Sequence, residues 1–351
     1  MQQYKVIGVM SGTSMDGVDL AYCVFTHQHH KWHYSIEQAK TIPYDDKWIT
    51  RLTQLHAQPA FVYPKTDAFY GKYLGLLIND FIKEHQIPVD LISSHGHTIF
   101  HQPQNGFTSQ IGSGASIYAE TGIRTINDFR VVDVALGGQG APLVPIGDEL
   151  LFTGYDACLN LGGFSNISFN KAGRRTAFDI SPCNIVLNKV AQQAGLLFDE
   201  NGRLARAGTI NEELLHKLNA LPYYLVKSAK SLGIEWVEKE FWPLLKSFTL
   251  TIEDLMATLN YHISIQIAEV IKSNELENLL VTGGGAFNKV MIEYIETGSG
   301  IKITPANNSI IHYKEALIFA FLGVLRHTNQ ANSLRSVTGS RQDNMGGCIW
   351  G

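Results

Sequence analysis

The chain is poor in cysteine and has no pattern that would pair the few it contains. Its 351 residues include four cysteines, Cys23, Cys158, Cys183 and Cys348, and none forms a Cys-x-x-Cys motif. Three of them lie in apolar or motif-like stretches, which is typical of reduced, buried thiols. The pattern therefore predicts a cytoplasmic protein rather than a disulfide-stapled secreted one.

Basic runs are also missing. The 28 lysines and arginines are outnumbered by 32 aspartates and glutamates, giving a net charge of -4. Since nucleic acids and anionic membranes attract clustered positive charge, we expect neither as a partner. The N-terminus passes directly into a strand pattern with no visible signal peptide. The apolar run 316–325 is too short to span a bilayer, so it is expected to form a core helix.

Several catalytic motifs are absent. The sequence has no G-x-S-x-G elbow, no H-E-x-x-H, and no glycine loop followed by Lys-Ser or Lys-Thr. It does contain "VIGVMSGTSMDGVDLAYCVF" (6–25), a glycine loop rich in hydroxyls and carboxylates between strand patterns at 4–10 and 18–25. This loop is expected to be a hairpin tip that offers backbone N–H groups to an anion without a lysine.

Two further glycine elements follow. "DACLNLGGFSNISFNKAG" (156–173) repeats the order strand, glycine turn, strand. "NLLVTGGGAFNKVMIEYIE" (278–296) instead has a buried strand, three glycines and a helix, an arrangement that nucleotide pockets use. Two similar hairpins in one chain suggest two related halves.

Length and periodicity predict an α/β protein of two domains. Helical periodicity at 66–86, 184–195, 211–220, 235–247 and 252–273 alternates with strand patterns, including one at 89–102. A glycine- and proline-rich link at 130–145 is the expected boundary and hinge. We therefore predict a first domain of residues 1–130 plus about 313–351, and a second of 131–312.

A few polar residues are candidates for chemistry. Asp179 ends an apolar strand before a Ser-Pro turn, where it can serve catalysis, cap the following helix, or do both. His95, His97 and His101 share a strand parity but lack a further ligand, which makes a zinc site the less favoured interpretation. Arg130 lies between Asp128 and Asp133, either as an ion pair or as a binder of a carboxylate or sugar hydroxyls. Glu315 is expected to begin the apolar helix 315–325, as a first-turn charge.

These segments together resemble one enzyme family. "GVMSGTSMDGVD", "HGHT", "DFRVVDVALGGQGAPLVP", "LNLGGFSNIS", "KSLGIEW" (230–236), "VTGGGAFN" and "VTGSRQDNMGG" (337–347) follow in the order typical of anhydro-N-acetylmuramic acid kinases, over essentially the whole chain. The resemblance implies the two-domain actin-like/sugar-kinase (ribonuclease H-like) fold with an interdomain cleft. It also implies a homodimer.

The resemblance implies a reaction in two coupled parts. Water opens the 1,6-anhydro ring of the sugar at C1, and the released O6 takes the γ-phosphate of ATP. The product is N-acetylmuramic acid 6-phosphate, an intermediate of peptidoglycan recycling. Asp179 matches the catalytic aspartate and would be the general base for the water.

The resemblance also implies binding roles. ATP phosphates would meet the two hairpin tips, adenosine the third glycine element, and Mg²⁺ would be held through water by Asp16, with Asp19 as a further candidate. Arg130 and Glu315 would line the sugar site, Arg130 binding the lactyl carboxylate, with Asp128 and His95 beside them. The predicted ATP contacts are Gly12, Thr13, Ser14, Met15, Asp16, Gly17, Val18, Asp19, Gly162, Gly163, Gly283, Gly284, Gly285 and Asn288.

The chain departs from the family pattern at three positions. Ser181 and Cys183 replace two glycines of the catalytic turn, and His97 stands where glutamine is more frequent. These departures motivate a first alternative, a kinase for a related amino sugar. A second alternative is a nucleotide-binding module of the heat-shock chaperone and actin type, without sugar chemistry.

Overall fold

The computed structural model describes residues 2–12, 15–226 and 230–351. The strands are β1 (Gln2–Met10), β2 (Gly17–Gln28), β3 (Lys31–Pro43), β4 (Leu91–Ser94), β5 (His97–Gln102), β6 (Phe107–Ile111), β7 (Thr125–Asn127), β8 (Ala157–Leu161), β9 (Phe164–Lys171), β10 (Arg174–Pro182), β11 (Leu279–Thr282) and β12 (Cys348–Trp350). The helices are α1 (Asp46–Gln54), α2 (Val62–His85), α3 (Gly114–Thr121), α4 (Val131–Ala135), α5 (Val144–Leu151), α6 (Asn184–Ala191), α7 (Arg203–Ala207), α8 (Glu212–Asn219), α9 (Pro222–Leu225), α10 (Ile234–Trp236), α11 (Trp242–Lys246), α12 (Ile252–Ser273), α13 (Lys289–Ser299), α14 (Asn308–His327) and α15 (Arg335–Thr338).

The chain divides into two units. Unit 1 comprises Met1–Leu151 and Tyr313–Gly351, and unit 2 comprises Phe152–His312. The second division falls at the residue expected from the sequence, whereas the first lies about twenty residues beyond the expected boundary at 130. Residues 131–151 belong to unit 1 because hydrogen bonds join the glycine-rich turn after α4 to the C-terminal segment; Gln139 N, for example, donates to Thr338 O.

Unit 1 is built on a six-stranded sheet in the order β12-β7-β4-β1-β2-β3. The predicted first hairpin is confirmed, because β1 pairs antiparallel with β2, while on its other side β1 pairs parallel with β4. The histidine run at 27–33 forms the exposed connection from β2 to β3, with Trp32 turned into the core.

The predicted single strand at 89–102 is wrong. The structure has two strands there, β4 in the large sheet and β5 in a two-stranded sheet with β6. Gly96, with φ 73°, interrupts the extended backbone between them. The strand parity assumed for His95, His97 and His101 therefore does not apply, since His95 precedes the break.

The apolar run 316–325 lies within α14 and is buried almost completely, which confirms the predicted core helix. The helix is longer than expected and begins at Asn308, so Glu315 lies well inside it rather than in its first turn. In the described part of the chain, α14 alone is long and apolar enough to cross a membrane by length and composition, and 72% of its apolar window is buried. A core helix passes that same test.

Unit 2 is built on a four-stranded sheet in the order β10-β9-β8-β11. The second predicted hairpin is confirmed as the antiparallel pair β8 and β9, and the third glycine element as β11 followed by a short turn and α13. The long helix α12 contributes Met256, Ile263 and Ile267 to an apolar core shared with Leu159 of β8. This packing fixes the ends of β8 and β11, where two glycine elements emerge.

Candidate functional site

The first predicted phosphate loop joins β1 to β2. Thr13 and Ser14 lie outside the described residues, and the predicted contacts that the structure describes are Gly12, Met15, Asp16, Gly17, Val18 and Asp19. Met15 has φ 61°, in the left-handed region that residues with a Cβ rarely adopt. Such backbone outliers concentrate at ligand-binding turns.

A buried hydroxyl cluster adjoins this loop. The Oγ of Ser11 is 2.6 Å from the Tyr44 hydroxyl and 3.0 Å from His97 Nδ1, and it accepts a bond from the Tyr70 hydroxyl. Burial lowers the pKa of His97 to about 4, so the ring is neutral at pH 7. Sequence reasoning missed Tyr44 and Tyr70, because only the fold brings them to Ser11.

Three carboxylates of unit 1 influence one another. Asp16 is exposed, and Asp19 accepts a hydrogen bond of 2.6 Å from Thr41 Oγ1. Glu315 reaches solvent, yet desolvation by the surrounding protein raises its pKa. The positive charges of Lys314 and Arg130 oppose this rise, and the negative charges of Asp19 and Asp16 add to it. Within the described ranges, no group of three His, Cys, Asp or Glu side chains is arranged to ligate a metal ion directly.

Arg130 is held by two neutral acceptors. Its Nη2 and Nε donate to His95 Nε2 at 2.8 and 3.2 Å, and its Nη1 donates to the Gly140 carbonyl at 2.7 Å. His95 Nδ1 in turn donates to the Gly96 carbonyl, which leaves Nε2 as the acceptor. Burial lowers the pKa of His95 well below its usual value and that of Arg130 to about 10. The imidazole is therefore neutral and the guanidinium charged at pH 7.

The possible ion pairs around Arg130 are not formed in the described part of the chain. Asp133 instead accepts a hydrogen bond from Gly140 N. Asp128, whose φ is 62°, borders a polar cavity of about 290 Å³ that Asp67 also lines. Burial raises the pKa of Asp128, and the charge of Asp67 adds to the rise. Among the described residues, Arg130 thus has no direct carboxylate partner, which suits it to a ligand's carboxylate.

The two glycine elements of unit 2 lie side by side. β8 and β11 are parallel neighbours, and Asn160 pairs in register with Thr282 just before the two glycine turns. The Gly162 carbonyl accepts from Asn184 N at the start of α6. Because the N–H and C=O of a trans peptide point in opposite directions, the Gly163 N–H points away from α6. That orientation makes it available to an anion.

The third glycine element begins with Gly283, whose φ of 82° requires glycine. An added Cβ there would also lie 2.7 Å from the Leu161 backbone, so the two turns approach closely. Asn288 is buried; its Oδ1 caps α13 and its Nδ2 donates to Asn260. A cavity of about 320 Å³ borders this turn, lined by the apolar residues Ala286, Phe287, Ile292 and Pro305 and by Asn201, Lys289 and Glu293.

Asp179 lies near the end of β10 with its carboxylate held at one oxygen. Oδ2 accepts from Leu232 N at 2.8 Å and from Ser231 Oγ at 3.2 Å. No protein donor reaches Oδ1 among the residues that the structure describes. Burial raises the pKa of Asp179, and the bonds from Leu232 and Ser231 oppose this rise. The helix-cap alternative is not what is seen, since the N-cap position of α6 belongs to Cys183.

The departures from the family pattern in the turn after Asp179 are accommodated without left-handed backbone. Neither Ser181 nor Cys183 has a positive φ, and Cys183 has φ −128°. Ser181 Oγ lies 3.0 Å from the Tyr224 hydroxyl, and the Tyr223 hydroxyl donates to the Asp179 carbonyl. Helix α9 is thus tied to the strand that carries Asp179, a support that sequence reasoning missed.

The predicted residues therefore gather in two places. Unit 1 brings together Asp16, Asp19, Glu315, Arg130 and His95, which interact directly or through their charges. Unit 2 brings together the glycine turns and Asp179, linked by β8, β9 and β10. Asn184, whose Nδ2 donates to Leu161 O beside the glycine turns, had no predicted role.

The family model and the sequence relatives indicate one family. A family model described as anhydro-N-acetylmuramic acid kinase matches residues 4–351. Proteins of that name from Sulfurimonas denitrificans and Pseudomonas fluorescens are 32% and 34% identical to the chain, each alignment covering 98% of both proteins. Among solved structures, the activator of the 2-hydroxyisocaproyl-CoA dehydratase from Clostridium difficile aligns with a TM-score of 0.45 and 11% identity, over 93% of this chain and 96% of that one.

Proposed function

Because the chain belongs to the anhydro-N-acetylmuramic acid kinase family, we propose that Asp179 is the general base of its ATP-dependent sugar kinase reaction. A water oxygen attacks C1 of 1,6-anhydro-N-acetylmuramic acid, the C1–O6 bond breaks, and O6 takes the γ-phosphoryl group of ATP. The products are N-acetylmuramic acid 6-phosphate and ADP. Asp179 accepts the proton that the attacking water loses.

The observation that supports this role most directly is the asymmetry of the Asp179 carboxylate. Leu232 and Ser231 hold Oδ2, while Oδ1 has no protein donor in the described residues. A base needs both a fixed orientation and an unoccupied lone pair, and this carboxylate has both. Its raised pKa also brings it closer to neutral pH, which favours proton transfer from water.

The glycine turns are the proposed ATP site. In unit 2 the outward N–H of Gly163 suits a phosphate oxygen, because oriented backbone N–H groups bind anions without a lysine. In unit 1 the amides of Gly12, Met15, Asp16 and Gly17 suit phosphate oxygens for the same reason. The cavity that begins at Ala286 and Phe287, just after Gly285, suits the adenine ring, which can stack on the half-exposed Phe287. Asn288 is proposed to act by fixing this turn, since its amide is already engaged.

Asp16 and Asp19 are the proposed magnesium residues. Mg²⁺ usually keeps several waters and takes one or two carboxylates together with phosphates, which fits a pair of carboxylates without a direct ligand cage. Desolvation is the main cause of the raised pKa of Glu315, and the charges of Asp19 and Asp16 add to it, so a cation beside them would reduce this repulsion. When bound, the ion would offset the charge of the phosphates.

Arg130, Glu315, Asp128 and His95 are the proposed sugar residues. Arg130 has a partly used guanidinium and no carboxylate partner in the described chain, which suits the lactyl carboxylate of the sugar. Neutral His95 orients it. Glu315 and Asp128 supply acceptors for sugar hydroxyls.

Phosphorylation of 1,6-anhydro-N-acetylmuramic acid by ATP and Mg²⁺ tests the base. We expect Asp179→Asn to lower kcat by about 10³-fold, the scale of general-base catalysis. The matched control is Asp254→Asn, a half-exposed carboxylate of the same unit that accepts from Thr209 N, and it should keep wild-type activity. Full activity of Asp179→Asn would exclude Asp179 as the base.

Family membership does not favour a nucleotide-binding module without sugar chemistry. The alternative that the substrate is a related amino sugar is tested by comparing the rate of phosphorylation of 1,6-anhydro-N-acetylglucosamine in the same assay. We further propose that the protein is cytoplasmic, which the three buried free cysteines Cys23, Cys158 and Cys183 support. We also propose a homodimer, which the family resemblance implies and sedimentation tests.

A further inference from the structure

We propose that Asp133 is a positioning residue for the sugar: it fixes the Gly140 peptide whose carbonyl orients the Arg130 guanidinium. The inference rests on the proposed binding of the sugar's carboxylate by Arg130. It also gives a use to the C-terminal segment 333–344, which has no part in the proposed chemistry.

Asp133 lies at the centre of a buried hydrogen-bond network. The residue has no exposed surface, and its Oδ2 accepts from Gly140 N at 2.8 Å. Its Oδ1 accepts from Ser333 Oγ, Thr338 Oγ1 and Asn344 Nδ2, at 2.8 to 2.9 Å. Four donors compensate a buried carboxylate, so its position is sharply defined.

The turn after α4 is shaped around this carboxylate. A Cβ on Gly138 would lie 2.2 Å from Asp133 Oδ2, so only glycine lets the backbone pass so close. Gly140 has φ 65°, which favours glycine as well. The C-terminal segment closes the turn from the other side through the bond from Gln139 N to Thr338 O. The Gly140 peptide is therefore held by Asp133 directly and by the C-terminal segment.

Gly140 transmits this order to Arg130. A guanidinium has five N–H groups, and three of those of Arg130 are used, two on His95 Nε2 and one on the Gly140 carbonyl. By count, one N–H remains on each of Nη1 and Nη2. One N–H on each of Nη1 and Nη2 is the number that a bidentate pair with a carboxylate requires. Rotation of the Gly140 carbonyl would turn these two N–H groups away from the ligand.

Asp133→Asn tests this relay with a change of few atoms. Three donors meet Oδ1, so the new amide nitrogen would face Gly140 N, placing two donors against each other. We expect the KM for 1,6-anhydro-N-acetylmuramic acid to rise about tenfold, equivalent to one charge-assisted hydrogen bond. The KM for ATP should stay unchanged. Asp343→Asn, an exposed carboxylate of the same segment that accepts from Arg335 N, is the matched control and should change neither.

Two comparisons separate positioning from a general structural effect. Calorimetric dissociation constants are measured for 1,6-anhydro-N-acetylmuramic acid and for 1,6-anhydro-N-acetylglucosamine, which lacks the lactyl carboxylate. Asp133→Asn should weaken binding of 1,6-anhydro-N-acetylmuramic acid and leave binding of 1,6-anhydro-N-acetylglucosamine unchanged. In the Arg130→Ala background it should have no further effect, since coupled residues are non-additive.

Three outcomes contradict the proposal. If Arg130→Ala weakens binding of the muramic sugar and Asp133→Asn does not, the relay is wrong while the Arg130 contact stands. If Asp133→Asn weakens binding of both sugars equally, its role is merely structural. The same conclusion follows if Asp133→Asn causes its full loss of affinity in the Arg130→Ala background. If Arg130→Ala does not distinguish the two sugars, the proposed carboxylate contact fails, and the relay with it. Should Asp133→Asn not fold, Thr338→Val removes one of the four donors and should raise the same KM about twofold.

Discussion

Asp133 and Asp179 are both carboxylates withdrawn from bulk water, but their surroundings differ in the number of donors. Asp133 is fully buried and receives four hydrogen bonds shared over both oxygens. Asp179 is half-buried and receives two, both on Oδ2. For each, burial acts to raise the pKa. The four donors outweigh it at Asp133, whose pKa is lowered, whereas two donors do not at Asp179, whose pKa is raised.

The comparison teaches that burial alone does not assign a role to an acidic residue. A carboxylate whose lone pairs are filled is stable, charged and unable to accept a proton from a ligand. A carboxylate with one oxygen left open costs some stability and remains able to act as a base. Proteins commonly accept that cost at functional positions.

Alanine at each position should separate the two roles most strongly. Asp133→Ala leaves four buried donors without an acceptor, and we expect the free energy of unfolding to fall by about 3 kcal/mol or more. Asp179→Ala should change it by less than about 1 kcal/mol, because only two donors lose their partner and a costly charge is removed. Urea unfolding followed by circular dichroism measures both. Equal losses of stability would contradict the distinction.

Removal of one hydroxyl from each carboxylate is a finer comparison. Ser231→Ala takes a donor from Asp179, so its pKa should rise and the acid limb of the kcat/KM profile should move to higher pH. Thr338→Val takes a donor from Asp133, and should cost about 1 kcal/mol of stability while leaving that limb in place. Among the described residues, the titratable groups near Asp179 include Tyr223, whose hydroxyl donates to the Asp179 carbonyl, and Lys230, whose Nζ donates to the Tyr223 carbonyl.

Ser231→Thr is the control for the first change, because it keeps the hydroxyl and should keep the wild-type profile. If Thr338→Val moves the acid limb of the kcat/KM profile, or if Ser231→Ala leaves it in place, the number of donors at Asp179 does not set the pH dependence.

The fold was largely predictable because its signals are local. Alternating and continuous apolar runs marked both hairpins, the third glycine element, and helices such as α2 and α12. The sequence could not reveal that Gly96 divides the strand pattern at 89–102, nor that residues 131–151 pack with the C-terminal segment. Both depend on partners more than ten residues away.

The candidate site was predictable where a residue type announces its chemistry. Asp179, Arg130 and the glycine turns stood out for that reason, and their roles remain predictions. The residues that orient them did not stand out. Tyr44 and Tyr70 at Ser11, Tyr224 at Ser181, and the donors around Asp133 are ordinary residues in sequence, and only the fold gives them partners.

The smallest expected effect concerns stability and pH. The pKa of Asp179 is raised above its ordinary value of 3.8. At neutral pH its ionised carboxylate is therefore less stable in the folded protein than in the unfolded chain, which lowers the free energy of unfolding. Asp179→Asn should therefore increase the free energy of unfolding at pH 7 by about 0.5–1 kcal/mol. The gain should shrink as the pH falls through the folded pKa and vanish below 3.8, where wild-type Asp179 is protonated in both states.

Asp133→Asn should show the opposite sign in the same titration. The pKa of Asp133 is lowered, so its contribution to stability is complete above its ordinary value of 3.8 and is lost as the pH falls through the lower folded pKa. The variant's deficit relative to wild type should therefore narrow in acid. If both variants deviate from wild type in the same direction at pH 7, hydrogen-bond donors do not distinguish the two carboxylates, and the division between a filled and an open acid is wrong.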